Sequence, residues 1–306
     1  MAVGLERSDE YAHHLGTPGF ERHEFSFYDS VAHLGGYHRL LVTDLEASQR
    51  VVSVATCFFL PDGTVADAIE ERTAAPQEEP WLGGPDIVRP LEAVAFESRG
   101  RLEVSDGPHA IARPEPGESL WQEYHMALEL QATSPAYLDL ERWSPAGCGS
   151  YEQVTTAEGG IRIANTYWEI SAPAIRSHDW GPGSERDASL SLNGAIGNNF
   201  VFATHLDTSH EVAGFVWDGT VLHPLAHAAV RTDWSAAPRR PHNIRLSLVA
   251  GATTWELSGQ LRALLATPAK PGGAEMDHLD GLVRWSIEGG RVGHGTAHYD
   301  HRVLAI

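Results

Sequence analysis

Apolar and polar residues alternate with a period of two along most of this 306-residue chain, and turn signals break the pattern roughly every eight to fifteen residues. That period belongs to half-buried β-strands, whose successive side chains face opposite sides. In the first half it runs through "EFSFYDSV", "YHRLLVTDL", "LEAVAFES" and "WQEYHMALELQAT". "VVSVATCFFLPDGTVADAI" adds two arms joined at Pro61-Asp62-Gly63, where Pro presets φ and Gly tolerates φ > 0. "SYEQVTTAEGGIRIANTYWEIS" reads as a hairpin turning at Glu158-Gly159-Gly160, with Ile161, Ile163 and Asn165 on one face of its second arm. The alternation then resumes in "ASLSLNGAIGNNFVFATHLD", in "VAGFVWDGTVLHPL" with its turn at Asp218-Gly219, and in three further runs to the C-terminus. Helical candidates are confined to "LEASQRV" and "QLRALLAT", and the Pro/Gly-rich stretches at 76–90, 113–118 and 268–273 read as surface loops.

The expected fold class is therefore all-β, with few short helices. So many strands exceed one small barrel, and a Gly/Pro-rich break near 172–188 divides the chain into an N-terminal unit, 1–180, and a C-terminal unit, 181–306. Two antiparallel barrels or sandwiches in tandem satisfy the pattern, because closure removes exposed strand edges.

Charge narrows the choice of partners. Lys and Arg number 22 against 41 Asp and Glu, a formal net charge of −19, which repels phosphate backbones and anionic lipid headgroups alike. No nucleic-acid partner is expected. Glu6, Asp9 and Glu10 stand where a signal peptide needs an apolar run, and no stretch approaches the roughly 18 apolar residues of a membrane span. A cytoplasmic protein with no membrane insertion is the expectation. Cys57 and Cys148 lack metal or redox spacing and read as small buried residues rather than a disulfide. P-loop, dinucleotide, GxSxG and HExxH motifs are all missing, so no cofactor is expected.

The densest cluster of titratable and aromatic groups is "AIRSHDWGPGSERD", residues 174–187. With "FSFYDS", "LGGYHRL", "FFLPDGT", "SYEQ" and "GRVGHGTAHYDHRV" in the same order, it resembles the AttH / carotenoid 1,2-hydratase (CrtC-like) superfamily and its Arg-Asp-His-Ser-Trp-Gly signature. The resemblance implies two lipocalin-like (calycin) barrels packed side by side, with a ligand cavity in or between them. It also implies relatives that hydrate isoprenoid double bonds or cyclise polyketides and terpenoids. Arg176, His178, Trp180 and Gly181 carry over directly. Here Arg176-Ser177-His178-Asp179-Trp180-Gly181 exchanges Asp and Ser. Read as a one-residue displacement in an extended segment, the exchange turns the carboxylate away from the cavity.

Two roles compete for this motif. A carboxyl or imidazole beside an indole in a dry cavity suits proton transfer to an alkene or carbonyl, with Asp179 and His178 as catalytic candidates and Trp180 shielding cationic character. Alternatively Arg176 pairs with Asp179 or Asp187 while Trp180 plugs a junction. Further substrate-contact candidates are Tyr151 in "YEQ" and Tyr167 and Trp168 in "NTYWE", also readable as an exterior face at a seam, Glu123 in "WQEYHMALEL", which reads first as solvent-facing, and His298 in "GTAHYDH" as a polar group of the cavity. Tyr124, Met126 and Leu128 read as core. His294, His298 and Asp300 share a strand face, but i and i+4 lie about 13 Å apart along a strand, too far for one metal in a regular strand. His205 and Asp207 meet the same limit, and no metal is expected.

Three functions follow as alternatives. The first is a cofactor-independent enzyme, a lyase or isomerase, acting on a hydrophobic isoprenoid, terpenoid, steroid or polyketide by general acid–base chemistry and substrate preorganisation. The second is a lipocalin-like binder of a hydrophobic small molecule. The third is a metal-dependent oxygenase or hydrolase.

Overall fold

A computed structural model of the chain describes residues 5–13, 18–46, 49–74, 84–105, 107, 109–111, 120–138, 148–182, 190–197, 199–206, 212–235, 240–268 and 276–300. After a 3₁₀ turn at Arg7–Glu10, eleven strands follow in the first half: β1 (Gly19–Asp29), β2 (Leu34–Glu46), β3 (Gln49–Phe59), β4 (Val65–Ala74), β5 (Pro85–Arg89), β6 (Ala93–Ser105), β7 (His109–Ile111), β8 (Leu120–Ala132), β9 (Tyr137–Leu138), β10 (Gly149–Ile163) and β11 (Thr166–Pro182). The second half supplies β12 (Leu190–Ile196), β13 (Phe200–Leu206), β14 (Val212–Trp217), β15 (Leu222–Pro224), β16 (His227–Trp234), β17 (Pro241–Ala250), β18 (Thr253–Pro268), β19 (Met276–Ile287) and β20 (Val292–Asp300). No α-helix occurs among the described residues.

The first sheet closes on itself. Its antiparallel order β11-β1-β2-β3-β4-β6-β8-β10 returns to β11 through the β10–β11 hairpin, with β5 and β9 as short additions. The second sheet runs β15-β14-β13-β12-β20-β19-β18-β17-β16 and takes β7 as a parallel strand on β18. Each encloses its own apolar core: Phe25, Phe58, Phe96, Met126, Leu130 and Ile161 in the first, and Phe202, Leu246, Leu257, Val283, Trp285 and Tyr299 in the second. Two apolar patches join the sheets. Cys57, Phe59 and Val65 meet Ala263, Leu265 and Leu282 on one side, while Val154 and Ile175 meet Val201, Ala203, Phe215 and Trp217 on the other.

Most sequence expectations hold, and the departures are informative. Pro61-Asp62-Gly63 is the β3–β4 turn, with Gly63 at φ 89° and Asp62 accepting from the Thr64 amide. Glu158-Gly159-Gly160, by contrast, lies inside β10, and the chain turns later at Ala164-Asn165. The Gly pair serves close approach instead: a Cβ on Gly159 would lie 2.2 Å from the Ala127 carbonyl oxygen of β8. "QLRALLAT" is part of β18 rather than a helix, because its Leu and Ala residues pack into both the core and the seam. "LEASQRV" is no helix either: it ends β2 and begins β3, with residues 47–48 outside the described residues; the stretches 113–118 and 269–273 lie wholly outside them, and residues 85–89 of the expected first loop form β5. Cys57 is buried and Cys148 half-buried, both as free thiols.

Candidate functional site

The cluster at Arg176–Gly181 lies within β11, so parity alone sorts its side chains. Even-numbered residues face into the first barrel and odd-numbered ones face the second sheet. Cross-strand register then extends each residue into a row across β1, β11 and β10.

The inward rows are packed solid. Arg176 is opposite Phe25 and Gln153, His178 opposite His23 and Tyr151, and Trp180 opposite Glu21 and Gly149. Arg176 donates to Glu10 Oε1 at 2.6 Å and to Gln153 Oε1 at 3.0 Å, and the Tyr151 hydroxyl donates to the same Glu10 carboxylate. Glu10, only 1 % exposed, arrives from the 3₁₀ turn and caps this end of the barrel. Burial pushes its carboxyl up, but the Arg176 guanidinium outweighs that and holds it below the usual range. The Tyr151 hydroxyl is pushed well up by burial. Glu21 Oε1 receives His178 Nε2 at 2.9 Å and His13 Nδ1 at 2.9 Å, with His23 Nε2 at 3.9 Å. Burial raises the Glu21 carboxyl, and the two imidazole bonds reverse the direction. Trp180 lies over Gly149, where a Cβ would sit 2.1 Å from the indole, and stacks on His13 at 4.0 Å and 7°. Among the described residues, His13, Glu21 and His178 are the group whose ligand atoms lie within 4.8 Å of one another, as a metal requires.

The outward rows line an open seam. Arg22–Asp179–Ser150 forms one row and Arg39–Glu24–Ser177–Glu152 the next. Arg22 Nη2 reaches Asp179 Oδ2 at 2.8 Å, Ser150 donates to Asp179, and Arg39 Nε reaches Glu24 Oε2 at 2.7 Å. The second sheet answers with a row of its own: His205, Ser191, His298 and Asp280 stand in register on β13, β12, β20 and β19. His298 Nδ1 donates to Asp280 Oδ1 at 2.6 Å, and Tyr37 of the first sheet donates to Asp280 Oδ2 at 2.9 Å. Burial lowers the His298 imidazole, but the Asp280 carboxylate outweighs it and raises the group above its ordinary value. Asp280 is correspondingly held far below the usual range. His205 bridges Ser191 Oγ at 2.9 Å and Glu152 Oε1 at 2.8 Å. Both of its ring nitrogens are thereby engaged.

Two adjoining hollows fill the seam. The polar one, about 80 Å³, is lined by Arg22, Glu24, Asp179, Ser191, His205 and His298 among others. The second, about 190 Å³, is more apolar, with Tyr28, Pro173, Ile175, Val201 and Val292, and it shares Ser26, Ile175, Asn193 and Thr296 with the first. Tyr28 and His294 stack across it at 3.9 Å. A third hollow of about 350 Å³, where β4 leaves β6 near Trp121, holds no histidine.

The sequence candidates thus separate. Asp179 and His298 line the seam, whereas Arg176, His178, Trp180 and the Tyr151 hydroxyl belong to the inward network. His178, 1 % exposed, lines none of the hollows described, so it and Asp179 do not face one substrate. The exchange within the motif does not turn the carboxylate over. Positions 177 and 179 are two apart and share a face, so it shifts about 7 Å along the seam. Tyr167 is 57 % exposed beside the β10–β11 turn and Glu169 is exposed, so that face is exterior rather than an inner wall. Trp168 packs on the first core, and Glu123 faces solvent while Tyr124, Met126 and Leu128 are core. Asp187 lies outside the described residues. The sequence reading missed Glu10, His13, Glu21, Arg22, Glu24, Arg39, Ser191 and Asp280. One signal was present: "FERHEFSF" places charge on both faces of a strand.

A family model described as "Domain of unknown function (DUF7064)" matches residues 6–303. No curated protein matches the sequence. Among solved structures, an AttH from Nitrosomonas europaea is 12% identical and covers 97% of this chain and 96% of its own, with a TM-score of 0.61. CghA is 10% identical over 93% of this chain and 89% of its own, TM-score 0.55. Kievitone hydratase from Nectria haematococca is 10% identical over 92% and 88%, TM-score 0.53. At such identities the likeness is one of fold, and it is the lipocalin-like, paired-sheet fold that the motif order resembles.

Proposed function

For a chain that belongs to the family described as Domain of unknown function (DUF7064), we propose acid–base catalysis of hydratase or cyclase type in the seam between the two sheets. One observation carries the reading: the in-register row His205–Ser191–His298–Asp280 opens onto a hollow that is polar at one end and apolar at the other. Strands lie about 4.8 Å apart, so the His205 and His298 backbones, two strands from each other, stand about 10 Å apart and can flank a reacting carbon–oxygen unit. His298, raised above its ordinary value by Asp280, holds its proton to higher pH than a free imidazole and serves as general acid. His205, oriented by Glu152, serves as base through the Ser191 hydroxyl. Arg22–Asp179 and Arg39–Glu24 fix the opposite wall. The chain's own groups supply the chemistry, with no cofactor in the reaction.

The substrate is proposed to be an isoprenoid, steroid or polyketide carrying an oxygen function. Its polar end meets the histidines, and its apolar body lies against Ile175, Pro173 and Tyr28. The two seam hollows are smaller than the ~300–1,000 Å³ usual for drug-sized ligands. The reacting end therefore sits inside, and the remainder leaves past Val292, 38 % exposed at the outer lip. A fold shared with a kievitone hydratase supports addition or removal of water.

The test is mass spectrometry of what the untagged protein retains, followed by turnover of that compound across pH. A compound found with its hydrated, isomeric or cyclised form, and an alkaline loss of rate centred above the ordinary imidazole range as His298 deprotonates, are expected. One unchanged compound, never converted, would leave a binding protein instead.

A further inference from the structure

The seam reading leaves unused the most concentrated set of metal-ligating side chains among the described residues: His13, Glu21 and His178, with His23 beside them. We propose that these four residues hold one divalent transition metal, Zn²⁺ by the character of their donors, as a structural clasp at the end of the first barrel.

Three imidazoles and one carboxylate make a complete N₃O set for tetrahedral Zn²⁺. Tetrahedral bonds of about 2.0–2.1 Å place ligand atoms about 3.3 Å from each other. The separations from Glu21 Oε1 are 2.9 Å to His13 Nδ1, 2.9 Å to His178 Nε2 and 3.9 Å to His23 Nε2, which bracket that value. His13, Glu21 and His178 already have their ligand atoms within 4.8 Å of one another, whereas His23 lies outside that group and swings in on metal binding to complete the set.

The positions are held from outside the cluster. Glu21, His23 and His178 come from paired strands, and all three are 5 % exposed or less. The His13 backbone amide donates to both Glu21 oxygens at 3.2 Å. The His13 ring lies flat on Trp180, and the His23 ring stacks on His178 at 3.7 Å, so the two strand imidazoles present the same edge to Glu21. His13, at 20 % exposure, leaves a path for an ion to enter.

The consequence is mechanical. His13 follows Glu10 by three residues, so a metal here pins the segment that delivers Glu10 to Arg176. The clasp faces away from the seam and takes no part in the reaction proposed there.

The experiment uses the full chain without a His-tag, dialysed against chelator and titrated with Zn²⁺ and then Co²⁺. One metal per chain is expected, with a rise in melting temperature and the visible d–d absorption of tetrahedral Co²⁺. His13→Gln should weaken Zn²⁺ binding at least ~100-fold, beyond what losing an outer-shell partner costs. His178→Gln should do the same, and His125→Gln, on the exposed outer face, should change nothing. His13 stands at the rim, so its variant keeps the test alive if His178→Gln fails to fold. Absence of stoichiometric metal, or equal affinity in wild type and His13→Gln, would overturn the assignment.

Discussion

The two faces of β11 differ more than the two halves of the chain do. Inward, Arg176, His178 and Trp180 each find a fixed partner, and the space between them is filled. Outward, Ser177 and Asp179 border a hollow whose far wall belongs to another sheet. Six consecutive residues therefore serve two purposes: the even ones seal a barrel and the odd ones build a cleft. Sealing needs complete pairing, whereas catalysis needs groups with a side left open. His298 meets the second demand, with Asp280 behind one ring nitrogen and the hollow in front.

The largest expected effect breaks the inward face. Arg176→Met leaves the Glu10 carboxylate buried without its cation, a loss on the order of 3–5 kcal/mol by denaturant unfolding. Adding Glu10→Met should return much of that, and a double variant no more stable than the single would show that the pair is not the unit holding this end closed.

A smaller effect tests the packing of the same face. Gly149→Ala places a methyl within the Trp180 ring and should cost ~1–3 kcal/mol through overpacking. The indole fluorescence should shift as Trp180 leaves His13. Unchanged stability and emission would mean the ring has somewhere else to go.

The smallest effect belongs to the outward face. Burial, and then Arg284 and Arg262, push His294 down to about 4. A histidine depressed in the folded state binds fewer protons there than when unfolded. Stability is therefore lost as pH falls from about 6.5 to about 4, and the penalty is constant below that. His294 is only half-buried, so screening limits the loss to at most ~2 kcal/mol. His294→Phe should flatten unfolding free energy against pH in that window; an unaltered slope would place the acid sensitivity elsewhere.

Much of this was legible in the sequence, because alternation is a local property. The strands, the Pro61-Asp62-Gly63 turn and the core assignment of Tyr124, Met126 and Leu128 follow from period and turn chemistry. The family resemblance fixed how the sheets pair. What stayed hidden depends on register between distant strands. Nothing near Arg176 announces Glu10, 166 residues away, and nothing in "GTAHYDH" names Asp280 as the partner of His298. Gly159-Gly160 misled because two glycines signal a turn and a close strand approach equally well. Asp179 misled for a simpler reason: an exchange across two positions preserves the face.

The central claim is that reaction chemistry lies on the outward side. Its most direct measurement is turnover of the retained compound by His298→Asn and His178→Asn, at matched circular dichroism. The account predicts a ~10²–10⁴-fold loss for His298→Asn and near wild-type turnover for folded His178→Asn. Full activity in the first with loss in the second would place the chemistry inside the barrel and contradict it.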